Sequence, residues 1–391
     1  MAATPYKFGA KGDGLTDDTD ALGRWAMAGG GEIPHGTFRI NAPLRFGPGF
    51  TITRWEGKIL YGHGWASGYA LCSRDWTRQT PGVRIDASAG GEIVYHGDSD
   101  MPRKGLGLTF LDDFEVINAT VVGGAAPKGI NLFSCEVRNS RRGVIRGGLF
   151  SVNSGQQGAD GIHFTANCSD IELVGVRTGS GDDSVGLTVE NPKMAGSVME
   201  RIKMTQCALD NEGHSSLKIL LASFANGSII RGVTLKDCTM RTKMAPLGAG
   251  LPVAVYNRKR ATGAKIEHIL IEGGTTEINV PEGGRPGGAV MEFYSADDVH
   301  IVNHDIHHWQ RMAIMATDCA RLVVEGGRFE PIRPVPRAGT MPLFRLAGCP
   351  DARIDVSGKT PGWAGQPVIT HLQVPASSAA APASNAQDTR P

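Results

Sequence analysis

Between residues 116 and 322 one kind of short apolar stretch keeps returning. It starts at Val116, Val144, Ile171, Ile202, Val233, Ile269, Val299 and Leu322. A second kind is interleaved with it: GINLF (129–133), GIHFT (161–165), SVGLT (184–188), SSLKI (215–219), PVAVY (252–256), AVMEF (289–293) and AIMA (313–316). Two series that stay in phase while their steps vary, from 23 residues (Val299 to Leu322) to 36 (Val233 to Ile269), mark a solenoid. One coil cannot bury its own apolar face, so coils must stack into a continuous core. Uneven steps place loops of uneven length at the corners. A β-sandwich would show turn signals about every 8–12 residues without this in-phase return. Cysteines keep the same register: Cys207 and Cys238 each fall five residues after a strand start, Cys168 and Cys319 each three before one.

Composition narrows the class further. With 53 Gly and only 6% aromatics around short apolar runs, the chain is built for tight turns, so for an all-β design. A formal net charge of +1 offers no footprint for nucleic acid. No apolar run approaches the roughly 18 residues of a membrane span, so no membrane partner is expected. The opening MAATPYKFGAKGDG has no apolar h-region, and no secretory signal is read there. Seven cysteines fit no zinc spacing and read as buried thiols.

Residues 6–28 offer Thr16, Asp17 or Asp18 to cap a short helix carrying Ala21, Leu22, Trp25 and Met27. GGGEIPHGTFRI (29–40) follows as strand, turn and strand. An FGAKGDGLTDDTDAL opening followed by this segment resembles the N-terminal cap of the pectate-lyase-type right-handed parallel β-helix superfamily, shared by polygalacturonases and phage tailspikes. The expected organisation is a cap with the first strands over 1–50, a single-stranded right-handed parallel β-helix of nine or ten coils over 51–374, and a disordered low-complexity tail over 375–391. The aromatics of 54–105 (Trp55, Tyr61, Trp65, Tyr69, Trp76, Tyr95) either stack on sugar rings or cover the first coil.

Three strands of the second series follow polar turns that end in Asp160, in Asp182-Asp183 and in His214. Alternation turns Ile162, Phe164, Val185, Leu187, Leu217 and Ile219 inward, and His163, Gly186 and Lys218 outward beside that column. Coils about 4.8 Å apart bring these carboxylates within reach of one glycosidic bond. Adjacent Asp182 and Asp183 raise one another's pKa, which suits one of them to act as a general acid. ADGIHF, GSGDDSVG and GHSS on successive coils resemble the active-site series of glycoside hydrolase family 28, the polygalacturonase family. That resemblance implies Asp160 and Asp183 as the carboxylates activating water, Asp182 as general acid and His214 as a supporting residue. The family's NTD is GAD here, and its GHG is GHS. Ala254 and Tyr256 stand where its Arg and Lys grip a uronate, which argues against polygalacturonate more than against glycan hydrolysis.

Lys218 and His163, with Lys128, Arg285 and Arg311 at other turns, are the expected substrate-binding residues. His304, His307 and His308 read as exposed turn histidines rather than metal ligands, and no metal or cofactor is expected. The resulting expectation is a polysaccharide-degrading hydrolase, extracellular or virion-associated, with a tailspike-like homotrimer as one form. The alternatives are a lyase of the same fold, using Ca²⁺ with Asp160, Asp182, Asp183 and Lys218, and a non-catalytic glycan-binding virion protein.

Overall fold

A computed structural model describes residues 2–62, 68–96, 103–123, 132–152, 158–212, 214–243, 251–258, 261–279, 289–309, 312–331, 342–356 and 369–372. Three parallel sheets of 12 strands each run side by side along one axis. Except at the two ends of the stack, strands neighbouring in a sheet are three strands apart in the chain, so each coil contributes one strand to every sheet. This is the solenoid expected from the repeat, in the form of the right-handed parallel β-helix that the resemblance implies. There are more coils than nine or ten, because the irregular segments before 106 and after 330 also wind as coils: Leu44–Phe46 and Gly68–Ser73 at one end, Phe344–Ala347 and Ile369–Leu372 at the other.

The first apolar series is itself two strands. VIRGGLF divides into Arg141–Arg146 and Leu149–Val152, hinged at Gly147 and Gly148. Equivalent hinges stack at Asn118, Gly147, Gly175, Gln206, Asp237, Gly273, Asn303 and Gly326, all left-handed with φ between 51° and 66°. Glycine meets no Cβ penalty there, and Asn118, Asp237 and Asn303 are of the kind that tolerates αL best after glycine.

Alternation holds where it was read. Ile162, Phe164, Val185, Leu187, Leu217 and Ile219 are fully buried inside the coils. All seven cysteines are buried free thiols.

The helix Thr19–Met27 covers the open end, burying Ala21, Leu22, Trp25 and Ala26, while Met27 turns out to solvent. Trp25 meets Phe50 edge-on at 5.7 Å, and Phe50 stacks on Phe46 at 4.7 Å. Asp18 does not cap the helix with its side chain. Its carboxylate accepts from Lys11 N–H (2.6 Å) and Gly12 N–H (2.9 Å), closing the turn over the coil. Among the described residues no helix is long and apolar enough to cross a membrane. The tail 375–391 lies outside the described residues.

Candidate active site

The sheet that begins at Leu44–Phe46 carries the acidic turns. Ile162–Thr165, Asp183–Val189 and Ser215–Leu221 are consecutive strands in it. Register pairs Glu136, His163, Gly186, Lys218, Ala254 and Glu292 in one outward row. Three residues upstream, Phe133, Asp160 and Asp183 form a second row, tied by Ser134 N–H to Asp160 C=O and Gly161 N–H to Asp183 C=O, both 3.0 Å. The rows cross at the acidic turns, and Gly186 is why they fit. A Cβ there would lie 3.0 Å from the His163 ring, which lies flat over this coil.

Asp160, His163, Asp182, Asp183, His214 and Lys218 come together in the structure. Asp160 Oδ2 bonds to His163 Nδ1, and its Oδ1 accepts from Asp183 N–H at 3.1 Å. His163 Nε2 meets Thr188 Oγ1 at 2.9 Å, and the ring stacks on Phe133 at 4.2 Å. Asp183 Oδ1 lies 3.2 Å from His214 Nδ1, and its Oδ2 lies 3.3 Å from Lys218 Nζ. Lys218 reaches Glu190 as well, at 3.8 Å. Asp182 Oδ2 accepts from Gly158 N–H. Its Oδ1 is buried without a hydrogen bond, although His214 Nδ1 is 3.3 Å away: that nitrogen's bond goes to Asp183.

The two neighbouring aspartates are driven apart. Burial, then the charges of Asp183 and Asp160, push the Asp182 carboxyl up to about 7. Burial opposes ionisation of Asp183 too, but Lys218, His214 and His163 together hold it at about 2. Burial alone would lower His163 and His214. Hydrogen bonds to Asp160 and Asp183 outweigh it and raise both above the usual imidazole range. Since ionised Asp183 can only accept, His214 Nδ1 carries the proton between them. Lys218 is raised by Asp183 and Glu190 against its burial. The site thus holds one carboxyl poised near neutrality and one fixed carboxylate, the pattern that separates acid from base.

Asp182, Asp183 and His214 each present one donor atom within 4.8 Å of the others, which is the geometry of a metal cluster. Ca²⁺, the ion of lyases with this fold, needs six to eight oxygen ligands. Here an imidazole nitrogen sits between the two carboxylates, and an ammonium holds the far oxygen of one of them. These residues do not fit Ca²⁺.

Lys128, Arg285 and Arg311 lie outside the described residues, as do Trp65 and the side chain of His308. His304 is corrected: it is not an exposed turn residue but is 1% exposed, bonded through Nδ1 to Gly273 C=O (2.6 Å) and through Nε2 to Thr276 Oγ1 (2.7 Å). Burial pushes it down to about 4, so it is neutral in the core. His307 pairs with Glu330 at 3.3 Å. Tyr256 donates to Glu292 at 2.6 Å. The aromatics of the early coils divide: Trp55 and Tyr61 are interior, while Trp76 is exposed.

Sequence reasoning missed Phe133, Thr188 and Glu190. Thr188 was legible as the outward residue after Gly186, whereas Phe133 and Glu190 touch the site only through coil stacking. It also missed the buried neighbour cluster, in which Glu136 bonds Lys104, Tyr69 (2.7 Å) and Thr165 (2.7 Å).

Fold and site together define a right-handed parallel β-helix with a largely buried cluster of carboxylates and cations on one sheet. No family model matches the chain, and no curated protein matches it in sequence. Solved structures share the fold. PfbA, a surface adhesin of Streptococcus pneumoniae, superposes with a TM-score of 0.57 at 12% identity over 85% of this chain and 92% of that one. A family 28 exopolygalacturonase of Yersinia enterocolitica gives 0.54 at 12% identity over 90% and 78%.

Proposed function

We propose that the protein is a glycoside hydrolase that cleaves a polysaccharide lying along the groove. The carrying observation is the geometry of the adjacent pair: Asp183 is held by both His214 (3.2 Å) and Lys218 (3.3 Å), while Asp182 Oδ1 is buried without a hydrogen bond, which drives the two carboxyls apart. Asp182 gives its proton to the glycosidic oxygen as the bond to the anomeric carbon breaks. A water attacks that carbon, and its proton passes to the Asp183 carboxylate beside Asp160. His214 and Lys218 hold Asp183 ionised, and His163 orients Asp160. Both ring nitrogens of His163 are engaged within the protein, so its part is positioning. The fold shared with a family 28 exopolygalacturonase supports this reading. An extracellular or virion-surface location accords with a fold also used by a surface adhesin.

That adhesin supports a second reading, in which the groove binds glycan without cutting it. A reducing-end assay on acidic and neutral polysaccharides decides between them. Hydrolysis requires release by the wild type and a loss of about 10²–10⁴-fold in both Asp182→Asn and Asp183→Asn. Release accompanied by ultraviolet absorbance of an unsaturated uronate would mean a lyase. No release on any polymer, with binding retained, would leave the binding reading.

A further inference from the structure

Four large hydrophobic side chains are exposed among the described residues: Tyr6, Leu15, Met27 and Trp76. The first three belong to the N-terminal cap. Trp76, 42% exposed, stands instead on the groove sheet, just past the strand Gly68–Ser73. An indole left in water on a solenoid's long face needs a reason, since burying a side chain of that size is worth several kcal/mol, about 25 cal/mol per Å².

Its ring is held in place. Trp76 Nε1–H donates to Ser73 C=O at 3.0 Å, and its ring and that of Tyr69 meet edge to face at 5.9 Å and 81°. Asp75 locks the turn by accepting from Thr77 N–H at 2.8 Å. The Arg45 guanidinium lies 5.4 Å from the ring centroid. Arg45 points outward, because Leu44 and Phe46 on either side are buried. From Trp76 a line of contacts, mostly between buried side chains, runs to the acidic turns. Tyr69 bonds Glu136, Lys104 Nζ lies 5.5 Å from the Tyr69 ring and 4.2 Å from Phe133, and Phe133 stacks on His163. Trp76 and the acidic turns therefore share one face.

We propose that Trp76 with Arg45 forms a distal saccharide subsite, taking a pyranose ring of the same polymer on the indole face. The proposal rests on the glycan reading of the groove. The strand before Trp76 is four coil steps from Asp183–Val189, roughly 19 Å at the inter-strand spacing. That distance spans several consecutive sugar rings. The apolar C–H face of a pyranose packs against an aromatic face by dispersion and against the negative charge of its π cloud. Arg45 adds fixed donors for a sugar hydroxyl or carboxylate. A rigid ring pays little ordering entropy on binding.

Affinity electrophoresis through gels containing polygalacturonate or dextran tests this in an Asp182→Asn background, where nothing is consumed. Binding about tenfold weaker in Trp76→Ala, near parent strength in Trp76→Phe, is the expected result. In the active protein Trp76→Ala lowers the ratio of polymer to trisaccharide kcat/KM about tenfold. Equal retardation of Trp76→Ala and its parent overturns the proposal, as does a parent that neither gel retards. Trp76-dependent binding by a protein that cuts nothing would keep the subsite and remove the hydrolase reading.

Discussion

Asp182 and Asp183 are neighbours in the chain with opposite electrostatic fates, because only Asp183 is reached by both a lysine and a histidine. The acid form of Asp182 is the reactive one, so kcat/KM is expected to fall as pH rises through about 7. Asp183 is ionised down to about 2 and sets no limb in the ordinary range. Lys218 lowers the Asp182 carboxyl as well as Asp183, so Lys218→Met is expected to move the alkaline limb to higher pH, alongside a fall in rate. A pH–rate profile of both proteins checks the sign, and a limb moving downward would contradict this assignment of charges. At this scale the acidic turns and His214 were legible, since each stands one or two residues before an apolar strand. Their partners were not. Glu190 finds Lys218 because register places Gly186 and Lys218 side by side on adjacent coils.

At the scale of elements the columns of left-handed hinges decide the shape of each coil. Gly148 has φ of 86°, and a Cβ there would lie 2.3 Å from Ala119 C=O. Gly175, with φ of 64°, has nothing within 4 Å. Gly175→Ala is expected to cost about 1–2 kcal/mol for its αL backbone alone. Gly148→Ala adds a backbone collision and is expected to cost about 3 kcal/mol or more. Urea denaturation of the two variants checks the order, and equal losses would mean that the stacked coils give way easily. The same hinges explain why two series were read where three sheets exist. A strand of about six residues and one of about four, separated by a one- or two-residue hinge, look in the sequence like a single apolar run.

For the whole molecule, stability passes from coil to coil, so the ends matter more than their size suggests. Trp25 is fully buried and seals the first coil against Phe50. Trp25→Ala is expected to cost about 3–5 kcal/mol and to expose an unpaired strand edge that promotes self-association. Trp76→Ala, at an exposed position, should leave the melting temperature nearly unchanged. Thermal melts with light scattering compare the two, and a Trp25→Ala protein as stable and monodisperse as the Trp76→Ala variant would contradict the sealing role.

The period of apolar stretches was enough to specify a solenoid, because only stacked coils can bury so many short strands of uneven spacing. It also placed Asp160, Asp182, Asp183 and His214 on neighbouring coils, since side-chain direction alternates along a strand and turns precede strands. Tertiary structure decided what those residues are to one another. The roughly 4.8 Å spacing between coils sets which cation meets which carboxylate, and among carboxyls that are all buried that pairing sets which one keeps its proton. It also sorted the early aromatics, sending Trp55 and Tyr61 inward and Trp76 out to solvent, a choice that depends on contacts with residues far away in the chain.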